Sequence, residues 1–118
     1  MPQLPFEARK ILLVEDEPLI LLELESRLRA AGAAIVTASN LERGLGFAKQ
    51  EELSAAVLDF QLRNEDTTAI CCKLAERRVP FLFHTGRIYS AFQKWPSAPV
   101  ILKSQTENLV GALVGILR

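Results

Sequence analysis

Ile11-Leu12-Leu13-Val14-Glu15-Asp16-Glu17-Pro18 is the stretch that decides the fold. Four aliphatic residues in an unbroken row read as a strand covered on both faces, since a strand with one wet face would alternate. Two acids follow directly, and Pro18 then suits the first position of a helix, where its missing N–H is no loss. The helix carries Leu21, Leu24 and Leu28 at helical spacing and closes at Gly32. Residues 34–38 read as a second strand. Ser39-Asn40-Leu41-Glu42 fits a capping box that opens a helix to about Glu51, with Leu45 and Phe47-Ala48 turned inward.

The same alternation continues to the end of the chain. Ala55-Ala56-Val57-Leu58 is a third strand ending on Asp59-Phe60, and Asp66 caps a helix through Arg77. Pro80-Phe81-Leu82-Phe83 and Val100-Ile101-Leu102 are the fourth and fifth strands. Residues 87–94 leave room for only a short helix before Trp95-Pro96. Ser104-Gln105-Thr106-Glu107 is a second capping-box pattern, opening the last helix. With right-handed crossovers, five such βα units make an α/β, doubly wound, five-stranded parallel sheet with a shortened fourth helix.

Composition narrows the function. A chain of 118 residues has room for one compact domain, expected over 1–118 with its core over about 9–118. Fourteen basic residues balance fourteen acidic ones with no long block of either sign, which argues against nucleic acid as a partner. The apolar runs are too short for a membrane span, and the amino end lacks the order of a signal peptide, so a cytoplasmic location is expected. Cys71 and Cys72 are neighbours that rarely bridge, and read as reduced thiols on a helix. With His84 the only histidine, no Cys/His cluster has metal spacing.

In open parallel sheets ligands bind outside the carboxyl ends of the strands. Glu15 and Asp16 follow the first strand, Asp59 the third, Thr85 the fourth and Lys103 the fifth. Taken singly, the acids could cap a helix, Thr85-Gly86 could be a turn, and Lys103 could be a solvated lysine. Together they are a set of hard oxygen ligands that suits Mg²⁺, with an ammonium and a hydroxyl suited to a phosphoryl group. A carboxylate trio at the ends of buried strands crowds like charges unless a cation lies among them.

Ile-Leu-Leu-Val-Glu15-Asp16-Glu-Pro, Leu-Asp59-Phe-Gln-Leu, Phe-His-Thr85-Gly and Ile-Leu-Lys103 resemble the signature positions of the response-regulator receiver family of two-component systems, over roughly residues 9 to 118. The resemblance implies a flavodoxin-like receiver fold with Asp59 as phosphoacceptor. It implies Asp16 as a direct Mg²⁺ ligand, Glu15 in the metal's outer shell and the Gln61 carbonyl as a further ligand, so that the metal set is Glu15, Asp16, Asp59 and Gln61. Thr85 would sense the acyl phosphate and Lys103 pair with it. The phosphodonor would be a sensor histidine kinase or a histidine phosphotransfer protein. The domain would be no enzyme beyond its own phosphorylation and dephosphorylation.

Some positions depart from the pattern. Ser104 follows the lysine where proline is common, so the cis linkage of that loop is not expected; a cis bond without proline costs about 3 kcal/mol. Arg63 stands where proline is frequent, Thr67 where glycine is, and Val100 at the aromatic switch position. These changes spare the chemistry and alter the output face. A haloacid-dehalogenase-type phosphatase would need a second carboxylate at Gln61, and a flavin binder a hydroxyl-rich loop in place of Glu15-Asp16. The remaining alternative is a degenerate receiver, an interaction module independent of phosphorylation. In the last helix, Leu109, Leu113 and Ile116 form one apolar stripe, and Val110, Val114 and Leu117 a second, beside Gly111 and Gly115. Either both stripes and both glycines are buried on the domain itself, or the second serves a homodimer or a kinase.

Overall fold

The computed structural model describes residues 4–118, so Met1, Pro2 and Gln3 of the expected 1–118 unit lie outside the described residues. The elements run β1 (Lys10–Val14), α1 (Pro18–Ala30), β2 (Ala34–Ala38), α2 (Leu41–Gln50), β3 (Ala55–Leu58), α3 (Thr68–Glu76), β4 (Phe81–Thr85), α4 (Ile88–Lys94) and β5 (Val100–Leu102). A 3₁₀ segment (Lys103–Asn108) then leads into α5 (Leu109–Ile116). The sheet is wholly parallel with strand order β2-β1-β3-β4-β5, the doubly wound arrangement expected from the alternation.

Burial on both faces explains the aliphatic runs. Leu12, Val14, Ala56, Leu58 and Phe83 point to one layer with Ala48, Ile70 and Leu74, whereas Ile11, Leu13, Val57 and Leu82 point to the other with Leu24, Leu28, Leu109 and Leu113. Phe6, ahead of the stretch that carries the family resemblance, is fully buried in the second layer, and its N–H donates to the Ala31 carbonyl. Gly32 closes α1 at φ +100°, a conformation that glycine takes without penalty. Gly44 lets α2 lie close to its neighbours, since a Cβ there would sit 2.6 Å from Ile70 Cδ1.

Several local expectations are corrected. At α2 the cap is Asn40, not Ser39: its Oδ1 accepts the Arg43 N–H at 2.9 Å, and Glu42 closes no box. Asp66 accepts the Thr68 N–H at 3.0 Å, but the helix it precedes ends at Glu76. β4 starts at Phe81 and runs on through His84 and Thr85. Ser104 caps nothing. The turn after β5 is an irregular 3₁₀ segment, with Gln105 at φ −125°, ψ 34°, and α5 begins only at Leu109. No peptide bond among the described residues is cis, Lys103–Ser104 included. Cys71 is buried, which pushes its thiol up to about 12, and Cys72 is exposed; both are free. No described helix is long and apolar enough to cross a membrane.

Candidate phosphoryl and metal site

Strand register brings the acids level. Val14 pairs with Leu58, the Asp59 N–H donates to the Val14 carbonyl at 2.9 Å, and the Glu15 N–H donates to Ala38 at 3.1 Å. The residue after each strand thus leaves the sheet at one edge. On the other side Thr85 pairs with Leu102, which puts Lys103 next to it. Oxygen atoms of Glu15, Asp16 and Asp59 all lie within 4.8 Å of one another. Asp16, Asp59, Gln61, Thr85 and Lys103 line one open cavity, together with Arg63 and Arg87.

Each group is held by identifiable partners. The Lys103 ammonium lies 2.7 Å from Asp59 Oδ2 and 3.2 Å from Glu15 Oε1. Partial burial works against that ammonium, but hydrogen bonding to Asp59 and the two nearby negative charges outweigh it, and its pKa is raised. Glu15 is 1% exposed. Burial raises its pKa, with the Asp59 charge adding to the effect, while the Glu17 N–H and Lys103 oppose it. Asp16 Oδ2 accepts the Arg63 N–H at 2.7 Å, and Asp59 Oδ1 accepts the Gln61 N–H at 3.4 Å. Thr85 is buried, and its Oγ1 accepts the Arg87 N–H at 3.0 Å.

A divalent cation fits this donor set. Three carboxylates cluster here, and Lys103 pairs with two of them, Glu15 and Asp59. Glu15 Oε1 is buried and accepts no hydrogen bond of good geometry, although Lys103 is near it. Oxygen donors with room for water in an open cavity match what Mg²⁺ requires.

Two further residues behind the site are given no role by the sequence reading. Thr67 is fully buried and its hydroxyl reaches the carbonyls of Asp59 at 3.0 Å and Phe60 at 3.2 Å, anchoring the loop that carries the acid. His84 is buried behind the site with Nε2 2.9 Å from Thr106 Oγ1. A threonine where glycine is common, and a polar residue inside a strand, were the available signals.

No family model matches the chain. It is 38% identical over 81 residues to the probable transcriptional regulator ycf27 of Porphyra purpurea, an alignment covering 68% of this chain and 33% of that protein. The chain thus spans about a third of the length of the curated relatives it matches. Among solved structures it resembles the BeF₃-activated conformation of SdrG from Pseudomonas melonis Fr1, with 31% identity, a TM-score of 0.72, and coverage of 97% of this chain and 99% of that one. The response regulator TrrA from Thermotoga maritima, in complex with Mg²⁺-BeF, shares the fold at 22% identity and a TM-score of 0.78, covering 93% and 99% of the two chains. Full-length similarity to SdrG, on this sheet order, shows that the chain belongs to the response-regulator receiver family of two-component systems.

Proposed function

We propose that residues 1–118 form one receiver domain, acting in the cytoplasm, that takes a phosphoryl group onto Asp59 from the phosphohistidine of a sensor kinase or phosphotransfer protein. The observation that carries this reading is the Asp59–Lys103 contact of 2.7 Å inside a trio of carboxylates beside the Thr85 hydroxyl. Asp16, Asp59 and the Gln61 carbonyl would hold Mg²⁺, with Glu15 in its outer shell. The ion, when bound, neutralises charge on the transferring phosphoryl oxygens.

The chain's own groups do the remainder. A carboxylate oxygen of Asp59 attacks phosphorus as the bond to the donor nitrogen breaks. Lys103 needs only a small shift to pair with the new phosphoryl oxygens, because its ammonium already lies on the acceptor. The Thr85 hydroxyl accepts from Arg87, which leaves its proton free to donate to one of those oxygens. Leu19 and Leu22 stand exposed on α1, just after Glu15–Asp16, as apolar contacts for a donor protein. SdrG in its BeF₃-activated conformation and TrrA with Mg²⁺-BeF lend support, since beryllofluoride imitates a phosphoryl group.

Incubation with acetyl phosphate and Mg²⁺ should add one phosphoryl group by intact mass, and Asp59→Asn should take up none while remaining folded. A wild type that acquires no adduct would instead favour the degenerate, phosphorylation-independent receiver.

A further inference from the structure

We propose that Thr106 and His84 are positioning residues for Lys103, a role that rests on the phosphoacceptor reading above. Lys103 opens the irregular 3₁₀ segment, and Ser104 follows it, so no proline ring stiffens the turn that carries the ammonium. The carbonyl of Lys103 is instead tied down by a side chain: Thr106 Oγ1 donates to it at 3.1 Å. A hydroxyl has one proton, and this one is committed. The 2.9 Å contact to His84 Nε2 must therefore run the other way, with Nε2–H donating to Thr106 Oγ1.

The order of the chain follows. His84 sits on β4, one residue before Thr85 and in register with Ile101, so the sheet itself sets its place. Its other nitrogen, Nδ1, is buried without a partner among the described residues, so the ring's one hydrogen bond is the one to Thr106. Strand β4 thus fixes His84, His84 fixes Thr106, and Thr106 fixes the Lys103 backbone. From there the ammonium reaches Asp59 and Glu15. Both residues are buried, which protects the links from competition by water. Misplacing a charged group by a fraction of an ångström is enough to slow a transfer that depends on its position.

The test is the rate of acetyl phosphate-dependent labelling with Mg²⁺ in the full chain. Thr106→Val removes the hydroxyl at nearly constant volume and should lower the maximal rate about fivefold to tenfold, the order expected for losing one orienting hydrogen bond. Half-saturating acetyl phosphate and Mg²⁺ concentrations should stay put, because neither ligand touches Thr106; a general loosening would shift them with the rate. Thr106→Ser, which keeps the hydroxyl, should restore the rate to within about twofold of wild type. His84→Phe should slow labelling in the same direction, and the double variant should be no slower than Thr106→Val alone.

A folded Thr106→Val protein that labels at the wild-type rate overturns the proposal, as does a Thr106→Ser protein as slow as the valine variant. If the two substitutions add, His84 does not act through Thr106. Should Thr106→Val not fold, His84→Phe decides, and an unchanged rate there overturns the chain. If the wild type itself takes no phosphoryl group, the function reading fails and this role fails with it, an outcome distinct from all of the others.

Discussion

The Trp95 indole meets the Phe81 ring edge to face, centroids 5.5 Å apart, and this pair ends a run of aromatic contacts that starts beside Asp59. Phe60, the residue after the acid, touches Phe83 at 5.6 Å, and Phe83 touches Phe81 at 5.7 Å. Val100, at the position where an aromatic switch is common, is half-buried and offers no ring to swing. Thr85 meanwhile holds the Arg87 N–H at the entrance to α4, whose far end is Trp95. Two routes thus join the acid's surroundings to the one tryptophan.

Beryllofluoride with Mg²⁺ should therefore change Trp95 emission in the wild type, and the change should be much smaller in Thr85→Ala, which loses the route through α4. Fluorescence titration checks it. A response of equal size in both proteins would assign the signal to the aromatic run alone and remove Thr85 from the coupling.

Glu15, Asp16 and Asp59 repel one another in the metal-free protein, and Lys103, which pairs with Glu15 and Asp59, offsets part of that charge. Excess Mg²⁺ should raise the melting temperature, since a ligand of the folded state at about a hundred times its Kd contributes about 2.7 kcal/mol. Asp16→Ala should remove most of that gain. It also deletes the acceptor for the Arg63 N–H, so its metal-free baseline must be measured separately. A wild type whose unfolding ignores Mg²⁺ would count against the metal assignment.

Burial, and then the Lys103 charge, holds the His84 pKa below its usual value, while the Asp59 and Glu23 charges oppose the shift less strongly. The unfolded chain, with its histidine titrating near about 6.5, takes up a proton before the folded one does. More protons bound when unfolded means that stability rises with pH across this interval. Acidification below about 6.5 should thus destabilise the wild type, and His84→Phe should flatten that part of the profile. Glu15, with its raised pKa, acts in the opposite sense at lower pH, so the difference between the two proteins is the quantity to follow by thermal melts. Parallel profiles would mean that His84 is not the group responsible.

The sheet was legible because burial on both faces gives β1, β3 and β4 unbroken apolar runs through their middles. Ile11–Val14 and Ala55–Leu58 end where the aliphatic runs end. The acids, Thr85 and Lys103 were legible for the same reason, as the polar residues that follow. Helix starts were less so: Ser39 and Asn40 are both good caps, and only the backbone geometry selects Asn40. Ser104 and Glu107 have capping-box spacing, yet Thr106 turns its hydroxyl back to Lys103 and the segment winds as 3₁₀. The His84–Thr106 link spans 22 residues and rests on tertiary proximity, which no local pattern encodes.

Of the first stripe, Leu109 and Leu113 are fully buried but Ile116 is only half-covered, as are Val110, Ala112 and Val114 in α5 and Leu117 just past its end. Gly111 and Gly115 are exposed, and an added Cβ at either would meet nothing within 4 Å. Burial of both glycines on the domain itself is therefore corrected: the chain uses neither for close packing. An exposed helical glycine costs up to about 1 kcal/mol relative to alanine, so Gly111→Ala and Gly115→Ala should each stabilise the isolated chain by about 0.5–1 kcal/mol. From Leu109 to Leu117 the helix also carries no charge, so what the core leaves uncovered of the second stripe is apolar. A second copy, or the helix of a kinase or phosphotransfer protein, could approach most closely over the two glycines, where added methyl groups would obstruct it. Val114→Glu should keep the fold, because Leu109 and Leu113 hold the helix to the sheet, and should weaken association through the stripe. Light scattering and kinase-dependent labelling check this together with the glycine variants. If Val114→Glu matches wild type in both mass and transfer rate, the second stripe is only partly covered core, and the glycines cost stability to no purpose visible in this surface.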